Sequence, residues 1–190
     1  MPRKFCSIFF VSALTLIFKT TAYAQPQKGR FINASIGIGI TFPYDDFDIS
    51  GSGFYAQAEY VMGIKTWFGV RPYAGFILTS PADSDNPNLA DFKVSSKAFM
   101  FGGKVRVVAP IPWVAPFIEI GVGASIGAFE TFTPLTNIDE SGAFIHIPYS
   151  LGLALGPKHN VELAVTYYEH PSLEQVNGGV GITLSFPLRN

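Results

Sequence analysis

The sequence predicts an all-β protein, a single eight-stranded antiparallel barrel that crosses a membrane. Three observations carry this expectation. Apolar residues recur at every second position through eight segments. The opposite face of each segment is built from Gly, Ser, Thr and a few charged groups. The connections alternate between short and long.

A two-residue period belongs to strands, because successive side chains of a strand point to opposite faces. The first segment carries Ile32, Ala34, Ile36, Ile38, Ile40 and Phe42 on one face, with Asn33, Ser35, Gly37, Gly39 and Thr41 on the other. The second sets Phe54, Ala56, Ala58, Tyr60 and Met62 against Tyr55, Gln57 and Glu59. The third sets Val70, Pro72, Ala74, Phe76 and Leu78 against Arg71, Tyr73, Gly75 and Thr79. The fourth sets Phe99, Phe101, Val105 and Val107 against Met100, Gly102, Lys104 and Arg106. The fifth runs Ile118, Ile120, Val122, Ala124, Ile126 opposite Glu119, Gly121, Gly123, Ser125. The sixth runs Ile145, Ile147, Tyr149, Leu151, Leu153 opposite His146, Ser150, Gly152. The seventh has Val161, Leu163, Val165 and Tyr167 outward and Glu162, Thr166 and Tyr168 inward. The eighth has Val180, Ile182, Leu184 and Phe186 outward and Gly181, Thr183 and Ser185 inward. Segments of about ten residues have the length of a tilted membrane strand. Small inward residues suit the crowded lumen of an eight-stranded barrel. Pro72 cannot donate to a ladder and predicts a local interruption there.

The start of the chain is expected to be a secretion signal rather than a membrane anchor, for which its apolar run, closed by Lys19, is short. Arg3 and Lys4 precede an apolar run from Phe5 to Phe18, and Ala22-Tyr23-Ala24 supplies a small-x-small cleavage pattern. Residues 1–24 are therefore read as a cleaved signal peptide and residues 25–190 as the barrel. The only cysteine, Cys6, falls inside that signal, so the mature chain has no disulfide and no cysteine-ligated metal centre. After the signal, Gly, Pro or a charge breaks every apolar run too early for a membrane helix. The basic residues Arg3, Lys4 and Lys19 also belong to the signal, which leaves no basic patch for nucleic acid. A secreted barrel with an apolar exterior is expected in a bacterial outer membrane.

Short connections are expected at Ile64–Thr66, Ile111–Pro112 and Pro157–His159. Long ones are expected at Pro43–Ser52, Pro81–Phe92, Pro134–Ser141 and Pro171–Gly178. Short periplasmic turns, long outer loops and both termini in the periplasm are the arrangement of outer-membrane barrels. Trp67 and Trp113 fall beside short turns, where an interfacial aromatic girdle belongs.

The pattern resembles the small outer-membrane barrels of the OmpA transmembrane-domain and OmpX type. Gly181-Ile182-Thr183-Leu184-Ser185-Phe186 looks like the final strand by which such proteins are recognised for insertion, although Pro187-Leu188-Arg189-Asn190 follow it. The resemblance implies barrel-assembly machinery as a partner, with outer-membrane lipids and lipopolysaccharide around the barrel.

Candidate functional residues lie on the inward faces. Counting back from the short turns sets Glu59 opposite Arg71 and Lys104 opposite Glu119, with Arg106 one inward position below Lys104. Such a cluster is either an ion-selective constriction or a plug of mutually neutralised charges. The narrow lumen favours the plug. The turn at Pro157–His159 sets His146 opposite His170, both inward near the outer rim. A metal site or an acid–base pair would use such residues, but two ligands are few for a metal, and rim histidines bonded to Tyr168 or water are the simpler reading. No cofactor is expected.

His170-Pro171-Ser172 also resembles part of the His-x-Ser-Asn motif of outer-membrane lipid A deacylases, which are eight-stranded barrels. The resemblance would make His170 the base and Ser172 the nucleophile of an ester hydrolysis. Leu173 stands where that family has Asn.

The expected loops hold Asp45, Asp46, Asp48, Asp83, Asp85, Asp91, Asp139, Glu140, Glu169 and Glu174, ten of the fourteen acidic residues. They form either a solvated repulsive surface or a weak divalent-cation surface; Asp83-Ser84-Asp85 resembles the start of an EF-hand, but Pro87 breaks the match. Three functions follow. The leading one is a non-catalytic barrel, structural or binding an extracellular partner through acidic loops. The others are a lipid A esterase and a soluble, lipocalin-like binder of apolar ligands.

Overall fold

The computed structural model describes residues 28–45, 47–82, 89 and 91–188. The signal segment lies outside them, as do Asp46, Asp83 and Asp85. Eight antiparallel strands close into a barrel in chain order: β1 (Gly29–Pro43), β2 (Gly51–Gly63), β3 (Phe68–Pro81), β4 (Lys93–Val108), β5 (Val114–Phe132), β6 (Asn137–Leu155), β7 (Val161–His170) and β8 (Gln175–Pro187). The seam joins β1 to β8 over thirteen pairs, from Phe31↔Pro187 to Pro43↔Gln175. Closure leaves no strand edge to pair with another chain.

Each strand turns the expected face outward. Ile36, Val122, Ile145 and Leu151 are all more than 60% exposed, whereas Asn33, Thr41, Ser125, His146 and His170 are fully buried. This polarity is inverted relative to a soluble barrel, and an exterior of aliphatic and aromatic side chains suits lipid. The lumen is not wholly polar. Tyr55, Tyr73, Ile77, Met100, Phe129, Tyr168 and Leu173 form a cluster within it, and Val108, Ala115, Phe117 and Ala154 form a second.

The proline expectation holds. The β2–β3 ladder runs to Glu59↔Tyr73 and resumes at Met62↔Val70, omitting the pairs that Arg71 and Pro72 would make. Pro148 does the same between β5 and β6, where pairing stops at Ile120↔Tyr149 and resumes at Gly123↔His146.

Two expected loops are largely strand. β5 and β6 continue to Phe132↔Asn137, so Asp139 and Glu140 pair with Glu130 and Phe129 instead of lying in a loop. Alternation fades there because this end of the hairpin has no continuous apolar face, while the backbone ladder continues. Likewise Pro171–Leu173 form one 3₁₀ turn, Glu174 takes a left-handed conformation (φ 50°), and β8 starts at Gln175.

Two short turns are longer than counted. Gly63 pairs with Gly69, and Val108 pairs with Phe117. Pro110 and Pro112 have no N–H to close a two-residue turn, and Trp113 adopts a positive φ of 70°. Each register therefore moves by two residues. An even shift keeps inward side chains inward but changes their neighbours. Trp67 and Trp113 are exposed beside these turns, as expected.

Candidate functional site in the lumen

The register places Glu59 opposite Tyr73, not opposite Arg71, and Glu119 opposite Arg106, not opposite Lys104. The side chains meet regardless, because a lumen this narrow lets long side chains reach diagonally. Arg71 Nη1 donates to Glu59 Oε2 at 2.8 Å. Lys104 Nζ lies 2.6 Å from Glu59 Oε1 and 2.7 Å from Glu119 Oε2. Arg106 Nε donates to Glu119 Oε1 at 2.6 Å.

A sixth member, Glu162, completes the cluster. Arg106 holds it through Nη1–Oε1 at 2.6 Å and Nη2–Oε2 at 2.8 Å, and Arg71 Nη2 approaches Oε1 at 3.4 Å. Sequence reasoning set Glu162 on the inward face of the seventh strand but gave it no partner. An unmatched inward acid beside a surplus inward base was the available signal.

Three cations thus face three anions, none more than 6% exposed. The aromatic lining adds contacts. Lys104 Nζ sits 5.4 Å from the Tyr73 ring centre, and the Arg106 guanidinium stacks 3.4 Å from that of Phe117. Gln57 donates to Glu59 at 2.7 Å and accepts from the Tyr168 hydroxyl, linking the charges to the next layer.

That layer holds the histidines. His146 and His170 do stand opposite each other, flanking the register pair Ile147↔Glu169, with ring centres 5.3 Å apart. They are not at the rim, however; both are fully buried, and the Phe129 ring packs 5.2 Å from that of His170. Ser125 bridges them, its Oγ 2.7 Å from His146 Nδ1 and 2.8 Å from His170 Nε2. The proton order follows from the ends of the chain. His170 Nδ1 lies 3.0 Å from the Tyr168 carbonyl, which only accepts, and 3.3 Å from Asn177 Nδ2, which only donates; the shorter contact makes Nδ1 the donor, and Nε2 then accepts from Ser125. Ser125 Oγ then accepts from His146 Nδ1, and His146 Nε2 accepts from the Tyr73 hydroxyl at 2.5 Å. Both imidazoles are neutral in this arrangement. Ser125 was placed inward by sequence, but not between the two rings.

Above the histidines, hydroxyls and amides fill the lumen. Thr41 bonds Thr79 and Asn177 at 2.7 Å each, and Gln175 donates to Ser96 at 2.8 Å. Loop acids close this end. Asp45 accepts from Thr133 at 2.6 Å, and Glu174 accepts from Thr136 at 2.6 Å. Tyr44 donates to Glu169 at 3.2 Å, and burial together with that carboxylate pushes its phenol up to about 12.

The structure does not bring His170 to Ser172. Both His170 nitrogens bond elsewhere, while Ser172 is exposed on the 3₁₀ turn. The serine that does meet histidine, Ser125, has no exposed surface for a substrate to reach. Among the described residues, no group of three or more His, Cys, Asp or Glu is arranged to hold a metal ion.

No protein-family model matches the chain, and no curated protein matches it. Solved structures do. Neisserial surface protein A superposes with a TM-score of 0.56 at 11% identity, covering 85% of this chain and 98% of that one. The outer membrane protein OprG of Pseudomonas aeruginosa gives 0.51 at 12% identity, covering 87% and 100%. The outer membrane enzyme PagL gives 0.45 at 14% identity, covering 83% and 99%, a likeness too loose to bear on activity. The fold is that of the small eight-stranded outer-membrane barrels.

Proposed function

We propose that the protein is a non-catalytic outer-membrane barrel with a plugged lumen, acting as a structural element or an interaction surface at its long-loop end. The observation that carries this reading is the six-charge cluster of Glu59, Arg71, Lys104, Arg106, Glu119 and Glu162, paired internally and shielded from solvent. A constriction that selects ions needs charge free to meet them. Here every carboxylate is held by at least two cations, so a passing ion would have to break several buried pairs.

The outward residues are the lipid-binding part of this function, and lipopolysaccharide and outer-membrane lipids are its surroundings. The terminal Gly181–Phe186 strand is the segment offered to assembly machinery. At the long-loop end, Asp45, Asp48, Asp91, Asp139, Glu140, Glu169 and Glu174 outnumber the bases, of which Lys93 is taken by Glu130 at 2.6 Å. An extracellular partner would meet an acidic rim. The filled, charged lumen and apolar exterior argue against the lipocalin-like alternative, which needs an apolar cavity inside and a polar surface outside.

Planar-bilayer recordings of the purified full-length protein test the proposal. Little or no steady conductance is expected. A large, stable, ohmic channel would overturn the plug and with it the proposed role.

A further inference from the structure

Three buried polar atoms among the described residues lack a hydrogen-bond partner: Asn33 Nδ2, Arg71 Nε and His159 Nδ1. They come from β1, β3 and the β6–β7 turn, yet all three residues line one cavity of about 210 Å³ at the short-turn end. Each residue is more than nine-tenths buried. Unsatisfied buried groups are costly and rare, and three around one space point to an occupant.

The neighbours of these groups fix what each can do. Ser185 donates to Asn33 Oδ1 at 2.6 Å, which leaves the amide N–H₂ free to donate. Arg71 spends Nη1 on Glu59 and turns Nη2 to Glu162; Nε stands 3.6 Å from Glu119 Oε1, an ion-pair distance too long for a hydrogen bond, so its N–H still lacks an acceptor. His159 Nε2 lies 3.1 Å from the Ile111 carbonyl and therefore donates to it, so with one proton on the ring Nδ1 accepts. The cavity thus offers two donors and one acceptor.

Charge decides the sign of the ligand. The six lumen charges balance; Glu162 lines the cavity together with Arg71 and Arg106, and both its oxygens are occupied by Arg106. Lys158, exposed at the mouth, supplies the surplus positive charge. We propose that this cavity binds an oxyanion that also carries an O–H, namely a hydrogen phosphate or a phosphate monoester. Its anionic oxygens would take the Asn33 and Arg71 N–H groups, and its hydroxyl would donate to His159 Nδ1. Phe31 and Pro187 on the wall would accept an apolar ester substituent. Sulfate, of similar size but with no O–H at neutral pH, would leave His159 facing an unprotonated oxygen.

The test is a titration of the full chain, folded in detergent micelles and labelled with ¹⁵N, with sodium phosphate and sodium sulfate at matched ionic strength. The Asn33 side-chain amide and Arg71 Nε–H resonances should move saturably with phosphate, and sulfate should bind about tenfold more weakly or worse. Asn33→Asp keeps the acceptor for Ser185 but replaces the donor with a carboxylate, so phosphate affinity read at Arg71 should fall about tenfold or more. Should that variant fail to fold, Lys158→Gln, an exposed change, should still lower affinity about two- to fivefold. A short-chain phosphatidic acid in a third arm separates the sources. Tighter binding than inorganic phosphate assigns the site to a lipid headgroup, and equal binding assigns it to the free ion; either supports the proposal. No saturable shift, equal response to sulfate, or phosphate affinity unchanged in a folded Asn33→Asp or Lys158→Gln variant would overturn it.

Discussion

Arg106 grips both carboxylate oxygens of Glu162 across the lumen, at 2.6 and 2.8 Å, joining β4 to β7 over 56 residues of chain. It is a bidentate contact, the stronger form of an arginine–carboxylate pair. Removing one partner strands a buried charge, so Glu162→Leu should cost about 3–5 kcal/mol of folding free energy. Arg106→Met with Glu162→Leu removes one charge of each sign and leaves Arg71 and Lys104 facing Glu59 and Glu119. The double variant should cost less than the sum of the single ones. Urea unfolding in lipid vesicles measures all three, and simple additivity would refute the pairing.

The exterior should be intolerant of charge in proportion to its contact with lipid. Ile120 and Leu151 are 58% and 62% exposed. Replacing either with Arg should cost about 2–4 kcal/mol in bilayers. Ser125→Arg acts differently, by crowding a site with no free space and breaking both histidine bonds. Similar mild costs at all three positions would mean that the faces are assigned wrongly.

Close packing leaves no room for a side chain at Gly123, as at several other glycines of the barrel. A Cβ at Gly123 would lie 2.3 Å from the Tyr73 hydroxyl and 2.5 Å from His146 Nε2, where those two groups bond each other. A Cβ at Gly103 would meet nothing within 4 Å. Gly123→Ala should therefore destabilise the barrel by about 1–3 kcal/mol, while Gly103→Ala should be tolerated. The unfolding midpoints of the two variants give the comparison, and equal values would contradict the layer described.

Hydrolysis of lipid A acyl esters requires an exposed serine and a base free to take its proton. Ser172 is exposed but His170 is committed to Ser125 and Tyr168, and Ser125 is sealed. The purified, detergent-folded protein is expected to release no acyl chain. Ser125→Ala should instead appear as lost stability, about 1–3 kcal/mol, because it leaves two buried imidazole nitrogens unpaired. Mass spectrometry of lipid A after incubation is the check. Acyl release that Ser172→Ala abolishes in a folded barrel would replace the proposed function with an enzymatic one.

The sequence alone determined the strands, their number and their faces, because a two-residue period survives wherever one side of a strand meets lipid and the other a packed lumen. It also placed His146 opposite His170, since the count across the Pro157–His159 turn was right. It did not show where strands outlast their apolar face, so Asp139 and Glu140 were read as loop. Tertiary structure decided the partners. Turn lengths at Ile64 and Ile111 shifted two registers by two residues, and diagonal reach across a narrow lumen then joined Lys104 to Glu59 and Arg106 to Glu162. The cavity that gathers Asn33, Arg71 and His159 was equally invisible in one dimension. Closure of the barrel alone brings β1, β3 and the β6–β7 turn around one space, and nothing in the spacing of those residues along the chain encodes that closure.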